Sequence, residues 1–322
     1  AYEPFLTGKY VREAALIMSY DSKFAAPAAP ASPDLADRSN PQLDAQLGMA
    51  RVLKEMHMTF TVLPGNRLDK LDGIKLAFLT DAALLRESQI ETLADFVAAG
   101  GSLYLSGNSD PRLAEHLLGL TRIGLTCETD TYLAPTWSGA SVFGDEYSVK
   151  YPVSFPGKQV LVENPQGHAV LATVVLPYTD PADRTIFASI HANPPGVVTD
   201  YPAAVLGQYG KGKVLWLSCA LEACQQTPVR GVVTRLVQLL AMPEIISSDA
   251  PSCVELTLFR DVHHYVLHAV NVQDEAHALP VGPFTVTLNL PEIITGVKRV
   301  PDLTDTADKI EGGRVSLTIP AL

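Results

Sequence analysis

Residues 74–106, IKLAFLTDAALLRESQIETLADFVAAGGSLYLS, decide the fold. Residues 74–80 form an apolar-rich run of the kind that fills a buried strand. Ser88 and Glu91 then stand at the S-x-x-E spacing of a capping box, and Ile90, Leu93, Ala94 and Val97 recur at helical spacing. Gly100-Gly101 ends that predicted helix, because glycine takes the left-handed conformation after a helix at little cost. Residues 102–106 predict a second strand, Gly107-Asn108-Ser109 a turn, and Asp110-Pro111 the cap and first position of another helix.

The same alternation extends outward. Upstream, residues 11–19 read as a buried strand, residues 24–34 as an Ala/Pro-rich loop, and Asn40-Pro41 as a helix start. That helix is expected to present Leu43, Leu47, Ala50 and Leu53 inward and to end near His57, ahead of a strand over residues 59–63. Strands alternating with helices predict a parallel sheet covered on both faces. Downstream, residues 121–178 suggest inserted β-hairpins, with strands over 159–163 and 169–176. Residues 185–191 and 212–217 are expected to return to the sheet, the latter after a tight turn at Tyr209-Gly210-Lys211-Gly212. Thr227-Pro228 starts a helix running to about Met242. After Pro243 the helical pattern disappears, and residues 253–259, 262–271, 284–290 and 314–319 predict a small all-β sandwich. The expected organisation is an α/β domain over residues 1–248 and an antiparallel β-domain over 249–322.

Composition narrows the function. The 322 residues are 47% hydrophobic and 18% charged, ample for two cores, and 24 Lys+Arg against 35 Asp+Glu give a net charge of −11. That acidity argues against nucleic acid as a partner, since phosphate binding relies on clustered positive charge. The longest apolar-rich stretch, residues 169–176, is too short to span a bilayer, so no membrane is expected. The first residues, Ala-Tyr-Glu-Pro-Phe, have neither the basic nor the apolar region of a signal peptide. With no initiator Met, a processed product or a fragment is the expectation. Cys127, Cys219, Cys224 and Cys253 lack C-x-x-C spacing and read as ordinary thiols in a reducing, cytoplasmic setting.

Candidate chemistry is sparse. The Gly107–Asp110 turn follows a strand where open α/β sheets bind ligands, but no G-x-S-x-G or G-x-C-x-G elbow is present. Asp110 reads first as a helix cap. His191 ends a predicted strand and is a candidate general base only with a nucleophile beside it. On one strand His264 and His268 would stand roughly 13 Å apart, too far for one metal, so His263, His264 and His268 are read as structural and no metal is expected. Gly210-Lys211-Gly212-Lys213 lacks the upstream glycine and the Ser/Thr of a phosphate loop. No cofactor is expected, and no carboxylate pair can be nominated for glycoside hydrolysis.

Three stretches carry a family resemblance. One comprises Leu76-Ala77-Phe78-Leu79, Leu85-Arg86-Glu87-Ser88-Gln89 and the FVAAGGSL of residues 96–103. Another comprises residues 191–196 with Pro202-Ala203-Ala204-Val205 and Tyr209-Gly210-Lys211-Gly212-Lys213-Val214. The third is Tyr265-Val266-Leu267-His268-Ala269-Val270-Asn271 and the strands after it. In this order they resemble the C-terminal half of glycoside hydrolases of the family-42 β-galactosidase type and related hypothetical glycosyl hydrolases. The resemblance implies a β-galactosidase trimerisation domain, with a flavodoxin-like, class I glutamine-amidotransferase-like fold lacking catalytic residues, followed by the terminal β-domain. Where an amidotransferase carries its nucleophilic Cys, this chain reads Ser106-Gly107-Asn108. The family's catalytic carboxylates belong to a (β/α)₈ barrel, which typically needs about 250 residues, so no residue here inherits them.

The leading expectation is a non-catalytic accessory and oligomerisation region of a glycoside hydrolase, with a homo-oligomer (a trimer by resemblance) or a catalytic barrel as partner. A rival is a stand-alone amidotransferase-like hydrolase using Asn108, Asp110 and His191. A third reading is a carbohydrate-binding module using Tyr132, Trp137 and Tyr147.

Overall fold

The computed structural model describes residues 7–25, 40–189, 193–273 and 279–322. Packing divides the chain into two units. One comprises Ala15–Met49 and Val62–Ala241; the other comprises Ala1–Ala14, Ala50–Thr61 and Met242–Leu322.

The chain opens with β1 (Lys9–Tyr10), a strand of the second unit. It continues through β2 (Ala14–Met18), α1 (Tyr20–Ala25), α2 (Pro41–Glu55), β3 (Phe60–Pro64), β4 (Leu76–Thr80), α3 (Glu87–Ala98), β5 (Ser102–Ser106) and α4 (Pro111–Leu118). There follow β6 (Thr121–Leu125), β7 (Thr131–Pro135), α5 (Ala140–Phe143), β8 (Val153–Phe155), β9 (Val160–Glu163), β10 (Ala169–Pro177), β11 (Pro195–Tyr209), β12 (Gly212–Leu217) and α6 (Thr227–Leu240).

Nine strands form one sheet in the order β3-β2-β4-β5-β12-β11-β10-β7-β8. The predicted parallel sheet is in fact mixed. β4, β5 and β12 pair in parallel, whereas β12–β11, β11–β10, β10–β7 and β7–β8 are antiparallel. Every residue of β4 and β5 is buried, which is why these strands read as unbroken apolar runs. Side chains alternate between the two faces. Ala77, Leu79, Leu103, Leu105, Val214 and Trp216 join one core with Leu93 and Val97 of α3 and Leu113 and Leu117 of α4. On the alternate positions the rings of Phe78 and Tyr104 meet at 5.5 Å.

Several local expectations change. α3 starts at Glu87, and its first turn is closed by Gln89, whose Oε1 accepts from the Arg86 N–H at 2.8 Å, rather than by Ser88 and Glu91. α2 buries Gln42, Ala45, Gln46, Met49, Val52 and Leu53, while Leu43 and Leu47 are exposed. The cause is a close approach: a Cβ on Gly48 would lie 2.0 Å from the Glu222 carbonyl oxygen. Glycine is needed at position 48, and on the same face Gln46 Nε2 donates to the Ile17 carbonyl at 2.9 Å. Residues 185–189 form no strand beyond a single bridge at Ser189. Asp183 instead closes a turn by accepting from Thr185 N at 2.9 Å. The strand that returns to the sheet is β11, fifteen residues long, joined to β12 by the predicted turn, where Gly210 takes φ 56°. β7, β8 and β10 belong to the main sheet, and β6 pairs with β9.

The second unit contains β13 (Ile246–Ser248), β14 (Val254–Arg260), β15 (Tyr265–Asn271), β16 (Phe284–Asn289), β17 (Lys298–Arg299), β18 (Thr304–Asp305), β19 (Lys309–Glu311) and β20 (Arg314–Ile319). One sheet runs β1-β14-β15 and another β13-β16-β20-β19, all antiparallel in their pairing. Val254, Leu256 and Leu258 from the first share a core with Phe284, Val286, Leu288, Val315 and Leu317 from the second. Two sheets facing one core make a sandwich. Glu13, only 6% exposed, ties its parts together. Its carboxylate accepts from the backbone N–H groups of Glu244 (2.6 Å) and Ile245 (2.9 Å) and from Thr59 Oγ1 (3.3 Å).

Candidate functional site

The segments following β4, β5 and β12 converge at one end of the sheet. Asp81, just past β4, takes φ 49°, and Gly107, just past β5, takes φ 60°. Glycine is required at 107, because a Cβ there would lie 2.3 Å from Asp81 Oδ1. That oxygen accepts from the Asn108 N–H at 2.7 Å. Burial raises the Asp81 carboxyl above its ordinary range, opposed by its hydrogen bonds from Asn108.

Asn108 and Asp110 lie two residues apart but do different things. Asn108 is exposed, with Oδ1 accepting from Arg122 Nη2 at 3.3 Å. Asp110 is buried and caps α4: Oδ1 accepts from Arg112 N at 3.1 Å, and Oδ2 from Leu85 N at 2.9 Å and Arg112 Nη2 at 2.8 Å. Burial pushes its carboxyl up, but the Arg112 side chain and the two backbone donors together hold it below its ordinary range. A carboxylate so engaged acts as a cap. His191 lies outside the described residues.

Sequence reasoning missed the centre of this region, Glu222, in the turn after β12. Its carboxyl accepts from Ser106 Oγ and, at 2.8 Å, from the Tyr104 hydroxyl. Glu222, Ser106 and Tyr104 are all fully buried. Burial pushes Glu222 up to about 7, against the hydrogen bonds from Ser106 and Tyr104 that favour its charged form. Burial also raises the thiols of Cys219 and Cys224, the latter to about 11, so both are protonated at neutral pH. The only sequence signal was position: Cys219 to Glu222 follow a strand in the parallel part of the sheet. Chemically the group is a carboxyl bonded to two hydroxyls, closed to solvent, and tying β5 to the turn after β12.

The aromatic candidates stand on different elements. Tyr132 is half-buried on β7, and its hydroxyl donates to the Asn193 carbonyl. Trp137, in the turn after β7, is 95% exposed. Tyr147 is half-buried, its hydroxyl pushed up by burial and then by Glu146 and Cys224. The ring contacts among the described residues join other pairs. His268 packs edge-on against Phe259, and no group of metal-ligating side chains gathers among the described residues. No helix of the described residues is long and apolar enough to cross a membrane.

No protein-family description matches the sequence, and no curated protein matches it. Solved structures do match in fold. An α-L-fucosidase isoenzyme 2 from Paenibacillus thiaminolyticus superposes with a TM-score of 0.76 at 19% identity, over 100% of this chain and 49% of that one. A β-galactosidase from Bacillus circulans sp. alkalophilus gives 0.60 at 13% identity, over 99% and 41%. A catalytic mutant of a GH42 β-galactosidase from G. stearothermophilus gives 0.60 at 15% identity, over 97% and 41%. The chain thus has the fold of one part of these glycoside hydrolases and spans less than half the length of each.

Proposed function

We propose that this chain is an accessory and assembly region of a glycoside hydrolase rather than its catalytic part. One observation carries this reading: essentially the whole chain superposes on less than half of a fucosidase and of two β-galactosidases. The matched portion ends in a β-sandwich, and its α/β part carries the strand order β3-β2-β4-β5-β12, which supports a flavodoxin-like, amidotransferase-like assignment for the unit of residues 15–49 and 62–241. At the position where an amidotransferase carries its nucleophile, this chain has Ser106, which is closed to solvent together with its partner Glu222. The partner is a second copy of the chain, a trimer on the resemblance, or a catalytic (β/α)₈ barrel whose active-site rim this region helps to shape.

Exposed apolar side chains give such an interface material. Trp137, Phe187, Val197, Val198, Tyr178 and Tyr151 are each more than half exposed. Light scattering on the chain at high micromolar concentration tests the proposal, with oligomers expected. A strict monomer that also fails to associate with a family-42 barrel supplied in trans overturns it.

A further inference from the structure

The sheet has a second feature, at the ends of β2, β3 and β4. After β2 the chain adds β3 on one side and then β4 and β5 on the other, so the direction of sheet building reverses between β2 and β4. Open α/β sheets bind ligands at such a reversal, outside the carboxyl ends of the strands. The residues that follow these three strands line one crevice: Tyr20 and Asp21 after β2, Gly65 and Asn66 after β3, Arg86 and Gln89 after β4. The crevice has a volume of about 90 Å³.

The lining selects the ligand. Arg86 and Asp21 face each other in a two-point ion pair, Nε to Oδ2 at 2.9 Å and Nη2 to Oδ1 at 3.1 Å. The guanidinium charge is therefore already balanced, which disfavours a phosphate or carboxylate ligand, yet both groups keep further hydrogen-bonding capacity. Asn66, exposed, adds an amide donor and acceptor. Beside them the ring of Tyr20 stacks on Phe24, with centroids 6.3 Å apart and planes 19° apart, and both rings are exposed. The floor is set by a close approach, since a Cβ on Gly65 would lie 2.8 Å from Gln89 Nε2. Gln89 is in turn held by the Arg86 N–H. A charge-balanced Arg86–Asp21 pair and the Asn66 amide beside an aromatic face suit an uncharged ligand with many hydroxyls and an apolar ring face.

We infer that the crevice between the ends of β2, β3 and β4 binds a neutral pyranose, with Tyr20 against the sugar ring and Asn66, Asp21 and Arg86 bonded to its hydroxyls. This site shares no residue with Tyr132, Trp137 and Tyr147, and it stands whether or not the chain assembles with a partner. Saturation-transfer NMR and calorimetry on the full chain, with methyl β-galactopyranoside, methyl α-fucopyranoside and inorganic phosphate at millimolar concentration, test it. A pyranoside is expected to bind and phosphate is not. Tyr20→Ala and Asn66→Ala are each expected to weaken the sugar about tenfold, the equivalent of about 1.4 kcal/mol, while thermal unfolding stays unchanged. Three results would overturn the inference: no transfer to either sugar, phosphate binding that displaces the sugar, or sugar binding lost in Trp137→Ala but kept in Tyr20→Ala.

Discussion

The hydroxyl of Tyr104, on β5, donates to the carboxyl of Glu222 at 2.8 Å with neither residue touching solvent. The two are 118 positions apart in sequence, so the bond exists only once the sheet has formed. It joins the Ser106 bond to the same carboxyl and gives the fold a buried proton site whose ionisation costs stability.

That cost sets a pH dependence. Glu222 titrates at about 7 in the folded chain against 4.5 for an ordinary glutamate. The folded state therefore holds its proton over a range in which the unfolded state has lost it. Stability from this group is full below about 4.5 and falls as pH rises to about 7, by about 3 kcal/mol. Glu222→Gln removes the titration. The difference in melting temperature, variant minus parent, should grow from pH 4.5 to pH 7.5. A constant difference across that range would place the carboxyl's titration elsewhere.

Asp110 has the opposite sign. Burial alone would raise it, but Arg112 and the backbone donors at Leu85 and Arg112 leave it below its ordinary value. Its stabilisation is present above pH 3.8 and is lost as pH falls through the lower folded value. Asp110→Ala removes a helix cap and an ion-pair partner together. Chemical denaturation at neutral pH should show a loss of about 1–2 kcal/mol. No loss would mean that α4 does not depend on this cap.

How far the sequence could be read depended on whether a feature is local. β4, α3 and β5 were legible because buried parallel strands are apolar throughout and Gly100-Gly101 marks the helix end. The Asp110 cap was legible because cap and helix are adjacent. β11 was not: Pro195, Gly196, Asp200 and Pro202 interrupt it, and its first half is largely exposed, so neither periodicity nor burial marks a strand. Glu222 was invisible as a site because its partners Tyr104 and Ser106 come from another strand. The inward face of α2 was misread because leucine is the usual core residue, whereas here the helix approaches the Glu222 turn too closely for one.

Glu13 gives a prediction for the β-sandwich unit. Its carboxylate accepts from two consecutive backbone N–H groups, Glu244 and Ile245, and from Thr59. Hydrogen bonds to a charged acceptor contribute about 1.5–3 kcal/mol each, and truncation leaves the backbone donors without the carboxylate. Glu13→Ala should destabilise by about 2–4 kcal/mol, with Glu13→Gln intermediate because one amide oxygen remains. Hydrogen exchange at the Glu244 and Ile245 amides reads this directly, and unchanged protection in Glu13→Ala would refute the clip.

The last prediction separates the two faces of α2. A methyl group on Gly48 would meet the Glu222 carbonyl oxygen at 2.0 Å and its carbon at 2.7 Å. These are backbone atoms, which cannot move aside as a flexible side-chain end can. Gly48→Ala should therefore destabilise by about 1–3 kcal/mol, although alanine is the better helix former by about 1 kcal/mol. Leu47, one position earlier, is 61% exposed, so Leu47→Gln should stay within about 0.5 kcal/mol of the parent. Urea denaturation of the two variants checks both. If Gly48→Ala proved stabilising while Leu47→Gln was costly, the face first read from leucine spacing would be the buried one, and the close contact with Glu222 would be wrong.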